Sequence, residues 1–512
     1  EFSPEFGFKL NGKKIFLQGN ANHHDLGALG ATCYDKAIER MMLQLKSFGY
    51  NCIRCSHNPY SDSFARIADR VGILVVDELT DKWSDNDYWG GRQPFTHIWH
   101  KLITEWIKRD RNRPSIILWS LGNELQIREG WAGFEGTNDW GITTYNIFNQ
   151  LVKRWDHTRL TTVAMFPARA GAITRHDKEF NDYLVPPELA CATEVASFNY
   201  QSDKYDAYLK YRPDLILFQS EAETSNLLQP YYNMDKERMV GIAYWGSVEY
   251  WGESNKWPKK GWNYSFFEHT MRPYPQAYLI KTAFMPEIPE VHIGVVDAAG
   301  AESVSWNDVI VGRMALNECW NHILRAADGH SSPSNAHSVE LLVNGQSMGI
   351  QKNDTTRANL RNMIYWKDVP YGNGGSVVAI ARDKSGKEVA RHRIETAGKA
   401  VALRIEAETP TDWKADGMDL QYINVTVIDK KGRPVWDYNE PLTLQMEGAA
   451  RLVALDNGDH YTDELFHGIT SKRMYQGRMQ IILRSDQEAG NVTVKISSAG
   501  LKGTLRLKTI KE

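Results

Sequence analysis

Residues 109–124 read Arg-Asp-Arg-Asn-Arg-Pro-Ser-Ile-Ile-Leu-Trp-Ser-Leu-Gly-Asn-Glu, and no other stretch of the 512-residue chain is as informative. Ile116, Ile117 and Leu118 form a short apolar run without alternation, the pattern of a parallel strand covered on both faces. The run ends in Trp119, Ser120, Gly122, Asn123 and Glu124, a polar cluster where a barrel strand opens onto its functional face. A buried strand followed by an ordinary helix cap has no need of such a cluster.

Working outward, similar β-rich runs fall at 14–18, 52–56, 73–77, 160–164, 194–198, 214–219 and 240–245, giving with 115–119 the eight strands that close an α/β barrel. Helical patterns separate them. The clearest spans 35–48, where Ile38, Met41, Met42 and Leu45 make an apolar stripe; others lie at 139–155 and 275–284. After Phe284 the character changes at Pro286-Glu-Ile-Pro-Glu-Val, a proline-stiffened boundary. Alternating strands follow: Ser338-Val-Glu-Leu-Leu-Val before the turn signal Asn344-Gly345, and Val377-Val-Ala-Ile-Ala-Arg before Asp383-Lys-Ser-Gly. A second set from Ala402 includes Ile423-Asn-Val-Thr-Val-Ile-Asp and Asn491-Val-Thr-Val-Lys-Ile. The predicted organisation is a (β/α)8 TIM barrel over 1–285, then two all-β immunoglobulin-like sandwiches over 286–398 and 399–512.

Composition excludes several function classes. A net charge of −3, with no segment rich in Lys or Arg, argues against a nucleic-acid partner. No apolar run approaches the roughly 20 residues of a membrane span. The five cysteines are few and lack metal spacing; Cys52 and Cys55 lie on one predicted strand with side chains on opposite faces. Seventeen tryptophans fit sugar binding, because aromatic faces stack on the C–H faces of sugar rings, although most aromatics fill cores.

The block ending in Glu124 resembles the acid/base signature of family 2 glycoside hydrolases, the family of β-galactosidases, β-glucuronidases and β-mannosidases. Leu10 to Asp25, Asn51 to Pro59 and Ile73 to Glu78 resemble that family's first three barrel strands, so the resemblance covers residues 7–285, more weakly beyond. It implies a retaining exo-β-glycosidase, with β-galactosides as first choice and a β-glucuronidase or other uronate-acting hydrolase as the alternative. A silent carbohydrate-binding barrel is the reading from a different class. The resemblance also implies a jelly-roll and an immunoglobulin-like domain ahead of the barrel. The opening Glu-Phe-Ser-Pro-Glu-Phe-Gly-Phe reads as the interior of such a longer protein.

Retaining hydrolysis needs two carboxyl groups about 5 Å apart, a proton donor and a nucleophile. Glu124 matches the family's acid/base. The nucleophile falls in Leu215-Ile-Leu-Phe-Gln-Ser-Glu221-Ala-Glu223, where Glu221 and Glu223 compete and strand length favours Glu221. By the same resemblance Asn123 holds the sugar 2-hydroxyl, Tyr200 and Arg54 attend the nucleophile, and His23, His57 and Asp25 bind hydroxyls. Trp245 is the expected floor under the ring. Some galactosidases of the family place magnesium beside the acid through a Glu and a His after strand three. Glu78-Leu-Thr-Asp-Lys-Trp-Ser offers neither in place, so no cofactor and no metal are expected. Asp456-Asn-Gly-Asp459 reads as a turn rather than a calcium loop. Asn255-Lys256 and Lys259-Lys260 read as a solvated loop with only faint likeness to a glucuronidase carboxylate loop. The expected partner is a glycoside substrate, and a homo-oligomer is allowed.

Overall fold

The structure is a computed structural model that describes residues 1–83, 94–125, 139, 141–165, 185–224, 228–254, 256–296, 302–306, 309–313, 316–321, 329–367, 369–371 and 374–511. Eight parallel strands close a barrel: β1 (Leu17–Asn22), β2 (Cys52–Cys55), β3 (Leu74–Glu78), β4 (Ile116–Asn123), β5 (Leu160–Met165), β6 (Val195–Asn199), β7 (Leu217–Ala222) and β8 (Gly241–Trp245). Neighbours in the barrel are neighbours in sequence, and β8 pairs with β1 to close it. Helices at Asp35–Ser47, Asp62–Val71, Phe95–Asp110 and Ile142–Trp155 follow β1 to β4. The second of these starts on Ser61, whose side chain accepts the Phe64 N–H, and ends at Gly72 in the left-handed region at φ 77°.

Apolar pattern located every strand, but the strands with functional ends run past it. β1 extends to Asn22 rather than stopping at 18, β4 to Asn123 rather than 119, and β7 to Ala222 rather than 219. The reason is physical. All eight residues of β4 are buried, yet its second half carries the polar Ser120 and Asn123, because that half lines the end of the barrel rather than its packed centre.

Contacts divide the chain into two compact units: one of residues 1–24, 42–247 and 303–312, which holds the barrel, and one of 25–41, 248–302 and 313–512. In the second, two all-β cores form. Val295, Ile364 and Trp366 from one sheet, with Val291, Ile293 and Trp320 beside its strands, pack in one core with Val339, Leu341, Val377 and Ala379 from another. Further along, Ile423, Val425 and Ile481 pack against Leu442, Leu444, Val492 and Val494. Each sheet has four antiparallel strands, the layering expected of immunoglobulin-type sandwiches. The first hairpin turns at Asn344-Gly345 with both φ positive, 50° and 84°, as that dipeptide requires.

Closure between β8 and β1 relies on absent side chains. Gly241 pairs with Leu17, and a Cβ there would meet the Leu17 carbonyl oxygen at 2.4 Å; Gly19 faces the Ala243 Cβ at 2.9 Å. Because backbone rather than a movable side chain blocks the space, Gly241→Ala should cost about 1–3 kcal/mol or more. A lower melting temperature by calorimetry checks this, and an unchanged one contradicts the close approach.

Candidate active site

The strand ends deliver their side chains through unusual backbone. Glu124 follows β4 at φ 49° and Tyr200 follows β6 at φ 60°, a left-handed region that costs a non-glycine residue about 1–3 kcal/mol. Each is pinned by a backbone bond to the following strand: Glu124 N–H donates to the Ala164 carbonyl of β5 and Tyr200 N–H to the Glu221 carbonyl of β7, both at 2.8 Å. Two strained residues held this way at one end of the barrel mark a functional site.

Arg54, from β2, is the hub. Its guanidinium donates to Glu221 Oε1 at 2.7 Å, to Glu78 Oε2 through Nε and Nη2 at 3.0 and 2.7 Å, and to Asn123 Oδ1 at 2.9 Å. All four groups are buried. Tyr200 Oη donates to the other oxygen of Glu221 at 2.8 Å. Glu221 therefore has both carboxylate oxygens engaged by donors and lies inside β7, whereas Glu223 follows the strand end. Asn199 Nδ2 donates to Glu124 Oε1 at 3.2 Å and to Asn123 Oδ1 at 2.9 Å, so an amide chain links the two candidate carboxyl groups through Arg54.

The buried acids here are shifted in opposite directions: Glu124 up, Glu78 and Asp81 down. Burial pushes the Glu124 carboxyl up to about 8, and the charge of Glu221 adds to the shift; Lys82 only partly opposes it. Burial alone would also raise Glu78, but the Arg54 charge and the His57 hydrogen bond at 2.6 Å outweigh it, and its pKa falls below the ordinary value. Asp81 is lowered as well: burial acts against it, and His57 and Lys82 outweigh burial. Its Oδ1 accepts from Asn123 Nδ2 at 3.0 Å and from Lys82 Nζ at 2.6 Å.

Three aromatic rings complete the barrel end. Trp245 stacks on His57 with centroids 5.2 Å apart and planes 4° apart, and His23 meets both rings edge-on. His23 Nδ1 lies 3.2 Å from the Ser56 carbonyl. Asp25 belongs to the other compact unit, where its oxygens accept the N–H groups of Gly27 and Trp251 at 2.8 and 3.1 Å. Asn255 lies outside the described residues. Lys259 corrects the solvated-loop expectation: it is buried, with Nζ donating to Asn263 at 3.2 Å and Tyr264 at 3.1 Å.

Sequence reasoning gave no site role to Glu78, Asn199, Asp81 or Lys82, and placed Ser120 at the functional face without a partner. Ser120 Oγ donates to Glu78 Oε2 at 2.6 Å, and Ser220 Oγ to Asn199 Oδ1 at 2.8 Å. One signal was available. Asp77-Glu78 puts two charges at the end of a strand that is otherwise apolar, and buried charge demands partners.

Comparison with known proteins gives two models of one family on this chain: the glycosyl hydrolases family 2 TIM barrel domain over residues 5–239, and the glycoside hydrolase family 2 C-terminal domain 5 over 403–505. A domain of unknown function matches 333–390 between them. A β-galactosidase of Bacteroides ovatus is 26% identical over 97% of this chain and 61% of its own length. A putative β-glucuronidase of Formosa agariphila is 22% identical over 98% and 62%. The crystal structure of a glycosyl hydrolase family 2 member from Bacteroides cellulosilyticus matches 99% of the chain and 63% of its own at 29% identity, with a TM-score of 0.83. The chain thus spans about three fifths of the length of these relatives.

Two outcomes follow from the buried charges. Glu78→Ala leaves Arg54 with one carboxylate fewer in a dry site and should cost about 3–5 kcal/mol, read as a fall in melting temperature. An unchanged melting temperature contradicts the pairing. For Glu124 the folded pKa lies above the unfolded one, so its contribution is full at low pH and is lost as pH rises toward 8. Glu124→Gln keeps the bond from Asn199 and removes that loss, so the variant should gain in melting temperature over the parent between pH 5 and 8. A gap that does not change with pH contradicts the assignment.

Proposed function

Because the chain belongs to glycoside hydrolase family 2, we propose that it carries the catalytic barrel of a retaining exo-β-glycosidase that acts by double displacement on terminal β-galactosides. The observation that carries this reading is the asymmetry of the two acids: Glu124 is held protonated near neutral pH, while Glu221 accepts from Arg54 and Tyr200. That is the division of labour between a proton donor and a nucleophile.

In the first step Glu221 attacks the anomeric carbon as Glu124 gives its proton to the departing glycosidic oxygen. The bond to the leaving group breaks, and a glycosyl ester forms on Glu221. In the second step Glu124, now a carboxylate, takes a proton from water, which attacks the same carbon and frees Glu221. Arg54 and Tyr200 fix the nucleophile's rotamer and steady its charge as it departs. Asn123, whose amide is oriented by Arg54, Asn199 and Asp81, is placed to bind the 2-hydroxyl. His57, stacked on Trp245, supplies a further polar edge over an aromatic wall. A silent binding barrel would gain nothing from keeping one acid neutral beside a carboxylate fixed by two donors.

The choice of galactoside rests on the Bacteroides ovatus relative, which is a β-galactosidase. A panel of nitrophenyl glycosides tests it: galactoside turnover with retained anomeric configuration is expected. Preference for the glucuronide selects the uronate reading, and no turnover of any glycoside supports the silent barrel.

Glu124→Gln should lower turnover by about 10²–10⁴-fold, less for very acidic leaving groups, with azide restoring turnover as a β-glycosyl azide. Equal loss for every leaving group without azide rescue contradicts Glu124 as the acid. A 2-deoxy-2-fluoro glycosyl fluoride should leave its sugar on Glu221 in peptide mapping, and Glu223→Ala should still be labelled. Label on Glu223 moves the nucleophile by two residues and contradicts the role of Arg54.

A further inference from the structure

The second compact unit holds a buried cluster that the hydrolysis does not use: Glu249, His269, Asp456 and His460. Glu249 Oε2 lies 3.1 Å from His269 Nδ1 and 3.1 Å from His460 Nε2. One ligand atom from each of these three residues lies within 4.8 Å of the other two. The far nitrogen of His269, Nε2, is 2.9 Å from Asp456 Oδ1, and Glu249 Oε1 accepts from Tyr274 Oη at 2.6 Å.

His460 is the informative member. It is 3% exposed, its Nδ1 makes no hydrogen bond, and its Nε2 approaches Glu249 Oε2 at 3.1 Å without the alignment of a good one. A buried ring nitrogen of that kind is costly unless its lone pair is used. Here Nε2 faces a carboxylate oxygen and a second imidazole. Trp251 closes one side, its ring 4.7 Å from both imidazoles. Asp25 lies close enough to both histidines to feel their charge, adding a carboxylate to a region already rich in them.

We propose that Glu249, His269 and His460 bind a divalent transition-metal cation of the zinc class, with Asp456 orienting His269 from behind. Two imidazoles and a carboxylate are a zinc-type donor set, and a metal-bound histidine commonly gives its other N–H to a carboxylate. Bonds of about 2.0–2.1 Å in tetrahedral geometry put ligand atoms about 3.3 Å apart, close to the two 3.1 Å separations here. The cation ties the segment after β8, which carries Glu249 and His269, to the turn at Asp456–His460. Its role is structural, and it is independent of the proposed hydrolysis.

The rival occupant is a proton on His269, which would then bridge Glu249 and Asp456 as an imidazolium. Titrating the metal-stripped chain with Co2+ separates the two. We expect one equivalent bound with visible absorption of low-coordinate cobalt, displaced by Zn2+, and a higher melting temperature on loading. Glu249→Gln and His460→Ala should each abolish the band. Asp456→Asn should weaken affinity by about 10–100-fold. His392→Ala, in the other histidine–glutamate group of this unit, should leave the band unchanged. A parent chain that gives no band overturns the proposal whatever the variants do. A band that survives both Glu249→Gln and His460→Ala overturns it too.

Discussion

The guanidinium of Arg54 is the group on which the rest of the barrel end depends. It is 1% exposed, and it touches residues from four strands or strand ends: Glu78 of β3, Asn123 of β4, Glu221 of β7 and its own neighbour His57. A charge so far from water is tolerable only when its donors are all answered. Two carboxylates and an amide oxygen answer them, and each is itself held by a further donor: Ser120 on Glu78, Tyr200 on Glu221, Asn199 on Asn123. Removing any member exposes another to the full cost of burial. The network is therefore a positioning device: it fixes side-chain geometry around the two acids and adds little net stability of its own.

The same network surrounds the two glutamates of one pocket unequally. Both are buried, and burial alone pushes a carboxyl toward its neutral form. Glu221 has an arginine and a phenol donating to it, whereas Glu124 accepts from an amide N–H and feels the Lys82 charge less than its own burial. Because Glu221 carries charge, it raises Glu124 further. The neutral acid is thus a consequence first of burial and then of the Glu221 charge beside it.

How much of this was legible in the sequence follows from where the apolar pattern ends. Ile116-Ile-Leu and Leu215-Ile-Leu-Phe are plain strands, and barrel and sandwiches could be read from runs of that kind. The pattern stops where the site starts. Asn20, Asn22, Ser120 and Ser220 look like loop residues on the page and are strand residues in the fold. Glu221, Tyr200 and Arg54 could be placed together by motif, and the structure does bring them together. Glu78 and Asn199 could not, since nothing in sequence says which side chain will turn inward to meet Arg54, as Glu78 does, or Asn123 and Glu124, as Asn199 does. Asp25, two residues after His23, falls in the other compact unit and accepts the Gly27 and Trp251 N–H groups, bonds that no motif announces. His269 and His460 lie 191 positions apart, so their meeting was beyond any reading of spacing.

Burial and the Glu221 charge keep Glu124 protonated near neutral pH. A carbon-13 NMR titration of the glutamate carboxyls, with the Glu124 signal assigned from its disappearance in Glu124→Gln, measures this directly. The account predicts a midpoint near 8 that moves toward the ordinary carboxylic range in Glu221→Gln. A Glu124 midpoint near 4.5 that is indifferent to Glu221 would contradict it.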